Sequence, residues 1–344
     1  MKTVQITAIG DKLVERELEI PEPGPGDVVV AVKAAGICHS DAHYRTGVGS
    51  LAQLPLTPGH EVAGVIQAVG TGVSADRVGE RVCLHYLVTC GECSYCRRNR
   101  GQFCPDVAMI GKDRHGGYAE YIVVPKQNAI SLPDAIPFEH AAVMMCSFAT
   151  TLHALRKARF SSGESVAIFG AGGLGTAAIL IASALGASQI LAIDNNPDKV
   201  SAAAALGATG VDASEDNVVN TVFEQTDGRG ADVALELIGS PVTTDQAIRS
   251  LGVGGRAAMV GLSSKATKVD MYRDLIGKER EIVGVSDHLV SEIHELIDLV
   301  LSGDLDISPV VSGTVPLDDA AINAVFDNLD SGSGCAIRTV ITID

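Results

Sequence analysis

The sequence contains no apolar run of the roughly 18 or more residues that a membrane-spanning helix needs. Its opening stretch, MKTVQITAIGDKLVERELEI, scatters charges among the first hydrophobics and lacks the apolar core of a secretory signal. A cytoplasmic location is the expectation. Positive charge is also scarce: 26 Lys and Arg stand against 42 Asp and Glu, for a net charge of −16. That balance argues against nucleic acid or an anionic membrane as a partner, because both require a basic footprint. In a cytoplasmic setting the eight cysteines are not expected to form disulfides. Four of them crowd between positions 90 and 104, which points to metal instead.

With 344 residues, 46% of them hydrophobic, there is material for two cores. From 1 to about 145, short alternating stretches such as DVVVAVKAAG, EVAGVIQAVG, GERVCLHYL and GGYAEYIVVP sit between Gly and Pro turn signals, predicting an all-β unit. Near 150 the texture changes. SVAIF (165–169), QILAID (189–194), TGVD, DVALELIG, RAAMVGL and EIVGVSD read as six strands with helical stretches between most of them. That alternation predicts a parallel, doubly wound α/β sheet. From about 287 the pattern predicts one amphipathic helix, VSEIHELIDLVLSG, and a last strand, IRTVITID.

Gly170, Gly172 and Gly175 form G-x-G-x-x-G, with Gly173 and Leu174 between, directly after a predicted strand and at the start of a helix. The first glycine permits a tight turn, the second lets backbone approach a pyrophosphate, and the third allows close helix–strand packing. The phosphates then meet the free N–H groups of the helix start. A simple turn can also produce three glycines. Asp194, ending the next strand nineteen residues past Gly175, completes the context. Its carboxylate can accept hydrogen bonds from both ribose hydroxyls and would repel a 2′-phosphate; Asn195 and Asn196 follow, with no arginine. NAD is favoured over NADP. Lys199, one helical turn on, is either a cofactor contact or a solvated helix lysine.

Cys90, Cys93, Cys96 and Cys104 can close a tetrahedron around one zinc ion with no open position, a structural site. Arg97, Arg98 and Arg100 can offset the two net negative charges of such a site. An iron–sulfur cluster is the rival reading, but its usual run leaves three residues between the third and fourth cysteines, where this sequence leaves seven. Two further segments carry polar residues in apolar surroundings: GICHSDAH (36–43) and PGHE (58–61).

Taken with PLTPGHEVAGVI, the cysteine in VMMCSFATTLHAL, the GAGGLG turn and the terminal IRTVI, these motifs resemble the zinc-containing medium-chain alcohol dehydrogenases over essentially the whole length. The resemblance implies a GroES-like, β-rich catalytic domain (1–148 and 287–344) and a Rossmann domain (149–286), with the active site between them. It implies that Cys38, His60 and Cys146 bind a catalytic zinc, leaving a fourth position for water or substrate. Glu61 would sit behind that zinc and transiently replace a ligand. Asp41 would hold the ligand histidine in its tautomer. Ser40 would take the substrate's proton and His43 pass it to solvent. His39, Arg338 and the carbonyl of Val260 would contact the cofactor, His39 more weakly than the arginine common at that position. His85 and Tyr86 would line the substrate pocket, and His153, Cys83 and Cys335 would be structural. Only 41 residues separate Cys104 from Cys146, resembling bacterial, archaeal and yeast members, many of them tetramers. A homo-oligomer, tetrameric or dimeric, is therefore expected.

The activity so implied is reversible hydride transfer between a primary or secondary alcohol and NAD, with two zinc ions per subunit. A polyol, amino alcohol or semialdehyde substrate keeps the same chemistry. A zinc-free quinone or enoyl reductase lacks the paired ligands, and a zinc-stabilised redox sensor would need only the cysteine lobe.

Overall fold

The computed structural model describes residues 1–214, 217–331 and 338–344; Cys335 and the leading Ile337 of IRTVI lie outside the described residues. Contacts divide the chain into two units. One comprises Met1–Cys146, Leu289–Leu301 and Ser308–Asp344, the other Ser147–His288 and Ser302–Ile307. The family resemblance implies that all of 287–344 belongs with the first unit. The structure instead groups Ser302–Ile307 with the second, a segment in which Leu305 and Ile307 are buried.

In the first unit, the valine-rich run Asp27–Gly36 buries both faces and becomes the middle of a seven-stranded sheet. It pairs antiparallel with Glu61–Val69, with Tyr121–Pro125, and with the late strand Arg338–Thr342. Arg81–Leu84 and Ala129–Ser131 extend one side, and Val311–Pro316 lies parallel to Arg338–Thr342 on the other. The core holds Val28, Val30, Val32, Ile66, Leu84, Tyr118, Phe326 and Ile341. Each aliphatic side chain fully buried there contributes about 1.5–3 kcal/mol.

Two differences from the sequence expectation stand out. The first 145 residues are not all β: His39–Arg45 and Phe138–Val143 are short helices. The tail also carries more than Val290–Ser302 and a last strand, because Val311–Pro316 is a strand and Asp319–Ser331 a second helix. The Asp318 carboxylate accepts the N–H of Ala321 at that helix's start, and Ile322 and Phe326 bury its inner side. Like Val290–Ser302 it carries three acids, but its apolar stripe leans on alanines.

The second unit has the expected six strands, all parallel, in the spatial order Thr209–Asp212, Gln189–Asp194, Ser165–Phe169, Ala231–Glu236, Leu251–Met259, Glu281–Gly284. The chain moves outward in one direction from Ser165–Phe169 and then returns to Ala231–Glu236 on its other side. The switch point of this Rossmann sheet therefore lies between those two strands, and their carboxyl ends frame the crevice where such folds take ligands.

Candidate functional site

The first polar cluster is organised by a helix start. Cys38 caps His39–Arg45, and Asp41, fully buried in the first turn, accepts the Cys38 N–H at 3.1 Å through Oδ2. The same oxygen accepts the Tyr118 hydroxyl at 3.0 Å. Oδ1 takes the Gly59 N–H at 3.3 Å and lies 3.2 Å from His60 Nδ1. One carboxylate thus anchors the two segments that carry Cys38 and His60. With His60 donating through Nδ1, its Nε2 keeps a lone pair for a metal.

Cys146 reaches the cluster by an irregularity. Met144–Phe148 winds as a π-helical turn after the helix Phe138–Val143, a device found often at functional sites. Ligand atoms of Cys38, His60, Glu61 and Cys146 then all lie within 4.8 Å of one another. The donor set of thiols, imidazole and carboxylate suits zinc.

Four titratable groups in this small volume shift one another. The Cys38 thiol is held well below its usual value, first by a hydrogen bond from Cys146 and then by Arg338 and His60. Cys146 is pushed up correspondingly, through its bond to Cys38 and through burial. Burial pulls His60 down, but Asp41 more than offsets it and the net direction is up. Burial raises Glu61 to about 8 against the pull of Arg338. Arg338 Nη2 lies 3.0 Å from Glu61 Oε1, and Nη1 donates to the Ile37 carbonyl at 3.3 Å. Neither Glu61 oxygen makes a well-directed hydrogen bond, and Arg338 Nε is buried without a partner. Arg338, expected at a pyrophosphate, thus has its guanidinium buried beside Glu61.

Ser40 and His43 lie three residues apart on His39–Arg45, hence on one face. The Ser40 hydroxyl is 3.7 Å from Cys38 Sγ, and the rings of His39 and His43 meet at 4.4 Å. Tyr86 packs edge-on against His60 at 5.3 Å, with His85 stacked on it. Tyr118, which holds Asp41 from 77 residues away, has no local motif that marks it. Cys83 is buried in the sheet, its thiol pushed up to about 12, and His153 is buried in the helix Ala149–Lys157.

In the cysteine lobe the sulfurs of Cys90 and Cys96 are 3.9 Å apart, those of Cys93 and Cys96 3.4 Å, and those of Cys104 and Cys90 3.5 Å. Sulfurs on a zinc tetrahedron with bonds near 2.3 Å lie about 3.8 Å apart, so the four positions fit. Backbone N–H groups of Cys90, Cys93 and Cys96 point at sulfurs. The bond from Cys96 leads in bringing Cys93 down to about 7.

In the second unit, Gly170 follows its strand at φ 103° and Gly172 caps the helix Gly173–Ala184. A Cβ on Gly175 would meet the Gly170 carbonyl oxygen at 1.9 Å, so only glycine allows that approach. Asp194 accepts the Ala171 N–H at 2.9 Å and the Asn196 N–H at 3.0 Å, fixing the glycine turn while keeping lone pairs for hydroxyl donors. Lys199 is half-buried in the first turn of Pro197–Ala205, and Val260 follows the strand Leu251–Met259.

Two outcomes follow from this geometry. Asp41→Asn leaves at least one buried N–H facing an amide, or turns His60 to the wrong tautomer. It should cost about 1–3 kcal/mol and weaken metal affinity about 10–100-fold; denaturant titration and zinc analysis read both. Burial pushes His85 down to about 4 from its ordinary 6.5. The stability tied to its neutral form is present above 6.5 and lost as pH falls toward 4. His85→Gln should flatten the acid limb of the stability–pH curve in that window by about 3 kcal/mol.

The sequence matches the alcohol dehydrogenase GroES-like domain family over residues 24–134 and the zinc-binding dehydrogenase family over 173–302. It is 34% identical to an L-threonine 3-dehydrogenase of Pyrococcus abyssi over 89% of this chain and 88% of that protein. It is 32% identical to an alcohol dehydrogenase of Geobacillus stearothermophilus over the full length of both. The solved structure of alcohol dehydrogenase TADH from Thermus sp. ATN1 superimposes with a TM-score of 0.93 at 30% identity, covering all of both chains. On this fold, these donor sets and these relatives, the chain belongs to the zinc-containing medium-chain alcohol dehydrogenases and is an oxidoreductase acting on an alcohol.

Proposed function

We propose that the protein reversibly oxidises a primary or secondary alcohol to an aldehyde or ketone with NAD, using one catalytic and one structural zinc. The observation that carries this reading is the convergence of Cys38, His60, Glu61 and Cys146 within 4.8 Å. Cys38, His60 and Cys146 would hold the catalytic ion, with Glu61 as a reserve ligand whose charge Arg338 tempers. Cys90, Cys93, Cys96 and Cys104 would hold the other and fold their lobe. When bound, zinc supplies Lewis acidity at the substrate oxygen and NAD supplies the hydride acceptor.

The chain's own residues do the rest. Asp41 keeps His60 Nδ1 protonated, so the imidazole stays a neutral donor. Ser40, beside Cys38, accepts the hydroxyl proton of the alcohol, and exposed His43 returns it to solvent. The N-terminus of Gly173–Ala184 binds the pyrophosphate, with His39 and Arg338 as further contacts and Lys199 beside the ribose. Asp194 accepts the ribose hydroxyls and disfavours a 2′-phosphate, while the Val260 carbonyl orients the carboxamide. The similarity to L-threonine 3-dehydrogenases supports a second reading, the same chemistry on an amino alcohol.

An initial-rate panel of simple alcohols, polyols, threonine and the matching carbonyls, with NAD(H) and NADP(H), separates these readings. Cys38→Ala should abolish activity and lower bound zinc from about two to about one per subunit; undiminished alcohol-dependent NADH formation would sink the assignment. Asp194→Gly should weaken NADH binding by about tenfold and raise relative use of NADP; unchanged selectivity would remove Asp194 from the ribose.

A further inference from the structure

Glu236 ends the strand Ala231–Glu236 on one flank of the switch point, and it is only 1% exposed. Its carboxylate accepts three donors from the turn and the helix Pro241–Arg249 that follow. Oε1 accepts the N–H of Ile238 at 3.1 Å, the N–H of Gly239 at 2.9 Å and the Thr243 hydroxyl at 2.7 Å. Oε2 accepts Gly239 N–H at 3.1 Å. The main-chain carbonyl of the same residue accepts Val260 N–H at 2.9 Å and Gly261 N–H at 3.0 Å. Loops leaving two neighbouring parallel strands are therefore tied to one residue.

What those loops touch gives the tie its meaning. A Cβ on Gly261 would meet Gly239 N at 2.0 Å, and one on Gly239 would meet the Leu262 carbonyl oxygen at 2.2 Å. The two backbones are pressed together with no slack. On the other side, a Cβ on Gly170 would lie 2.9 Å from Ile238 Cγ1. Ile238, 49% exposed, therefore leans across the switch point onto the first glycine of the G-x-G-x-x-G turn. A buried carboxylate needs its donors fixed, and here two of the three are backbone N–H groups of the 237–239 turn while the third, Thr243, sits in the helix Pro241–Arg249.

We propose that Glu236 is a positioning residue for dinucleotide binding: its side chain holds the 237–239 turn, against which the 260–261 segment is packed, in place facing the glycine-rich turn. The proposal rests on the NAD-binding reading above and adds a residue outside both the glycine motif and Asp194. It acts through backbone placement, so its hydrogen-bond acceptors matter and its charge does not.

The test uses the zinc-loaded full chain, with NADH fluorescence titration and steady-state kinetics. Wild-type protein that fails to bind NADH defeats the NAD reading itself. Given wild-type binding, Glu236→Leu, which keeps bulk but removes the acceptors, should weaken NADH binding and raise KM for NAD about tenfold. Its kcat at saturating NAD should stay within about twofold and its zinc content unchanged, because uniform binding alone is lost. Glu236→Gln retains Oε1 and should recover binding to within about threefold of wild type. A folded Glu236→Leu protein with wild-type NADH affinity overturns the proposal, as does a Gln variant no better than Leu. Should the Leu variant fail to fold, Thr243→Val removes a single donor and should raise KM for NAD about threefold; no change there overturns it equally.

Discussion

The first unit's chemistry depends on one buried carboxylate. Asp41 accepts from the Cys38 and Gly59 backbones and the Tyr118 hydroxyl, and it faces His60 Nδ1. Each of these donors, buried and unpaired, would cost about 1–3 kcal/mol, so the carboxylate and its partners hold one another in place. The helix start, the His60 ring and the turn before it are thereby set in a single step. The cluster of thiols, imidazole and Glu61 inherits its geometry from that arrangement. Arg338 adds the opposite field, favouring the charged forms of Glu61, Cys38 and Cys146 within one small volume.

What could be read in the sequence is what lies close together along it. The glycine turn with Asp194 and the four cysteines of the lobe are local patterns, and each maps onto a local piece of structure. The six parallel strands were legible for the same reason, since each is a short apolar run between helical stretches. Cys146 was different. Its motif is weak, and it reaches the cluster only because one turn of helix widens to π, which no spacing rule announces. Tyr118 follows two glycines with Tyr121 close behind, nothing local distinguishes it, and its bond to Asp41 spans 77 residues. Arg338 was identified, but the direction of its side chain depends on Glu61, which tertiary pairing alone supplies.

Glu236 illustrates the other limit. A single acid at a strand end carries no signature in composition or spacing, and its importance appears only when its donors are counted. The helix Asp319–Ser331 was hidden for a related reason. Its inner residues are held by packing against the first unit's sheet core, and a helix stabilised by tertiary contacts need not stand out in the sequence.

The central place of the strand Arg338–Thr342 bears on how the protein is made. That strand lies between Val311–Pro316 and Asp27–Gly36, so the sheet begun by residue 27 keeps an open seam until Arg338–Thr342 emerges. By then the whole of Ser147–His288 has been synthesised, with its sheet built from strands that follow one another closely in sequence. Domains fold as units during synthesis. Here the unit started first can be closed only last, and the arginine beside Glu61 arrives with the strand that closes it. During translation the Ala34–Gly36 end of the strand Asp27–Gly36, beyond the stretch that Tyr121–Pro125 covers, is an unpaired edge that can template other chains.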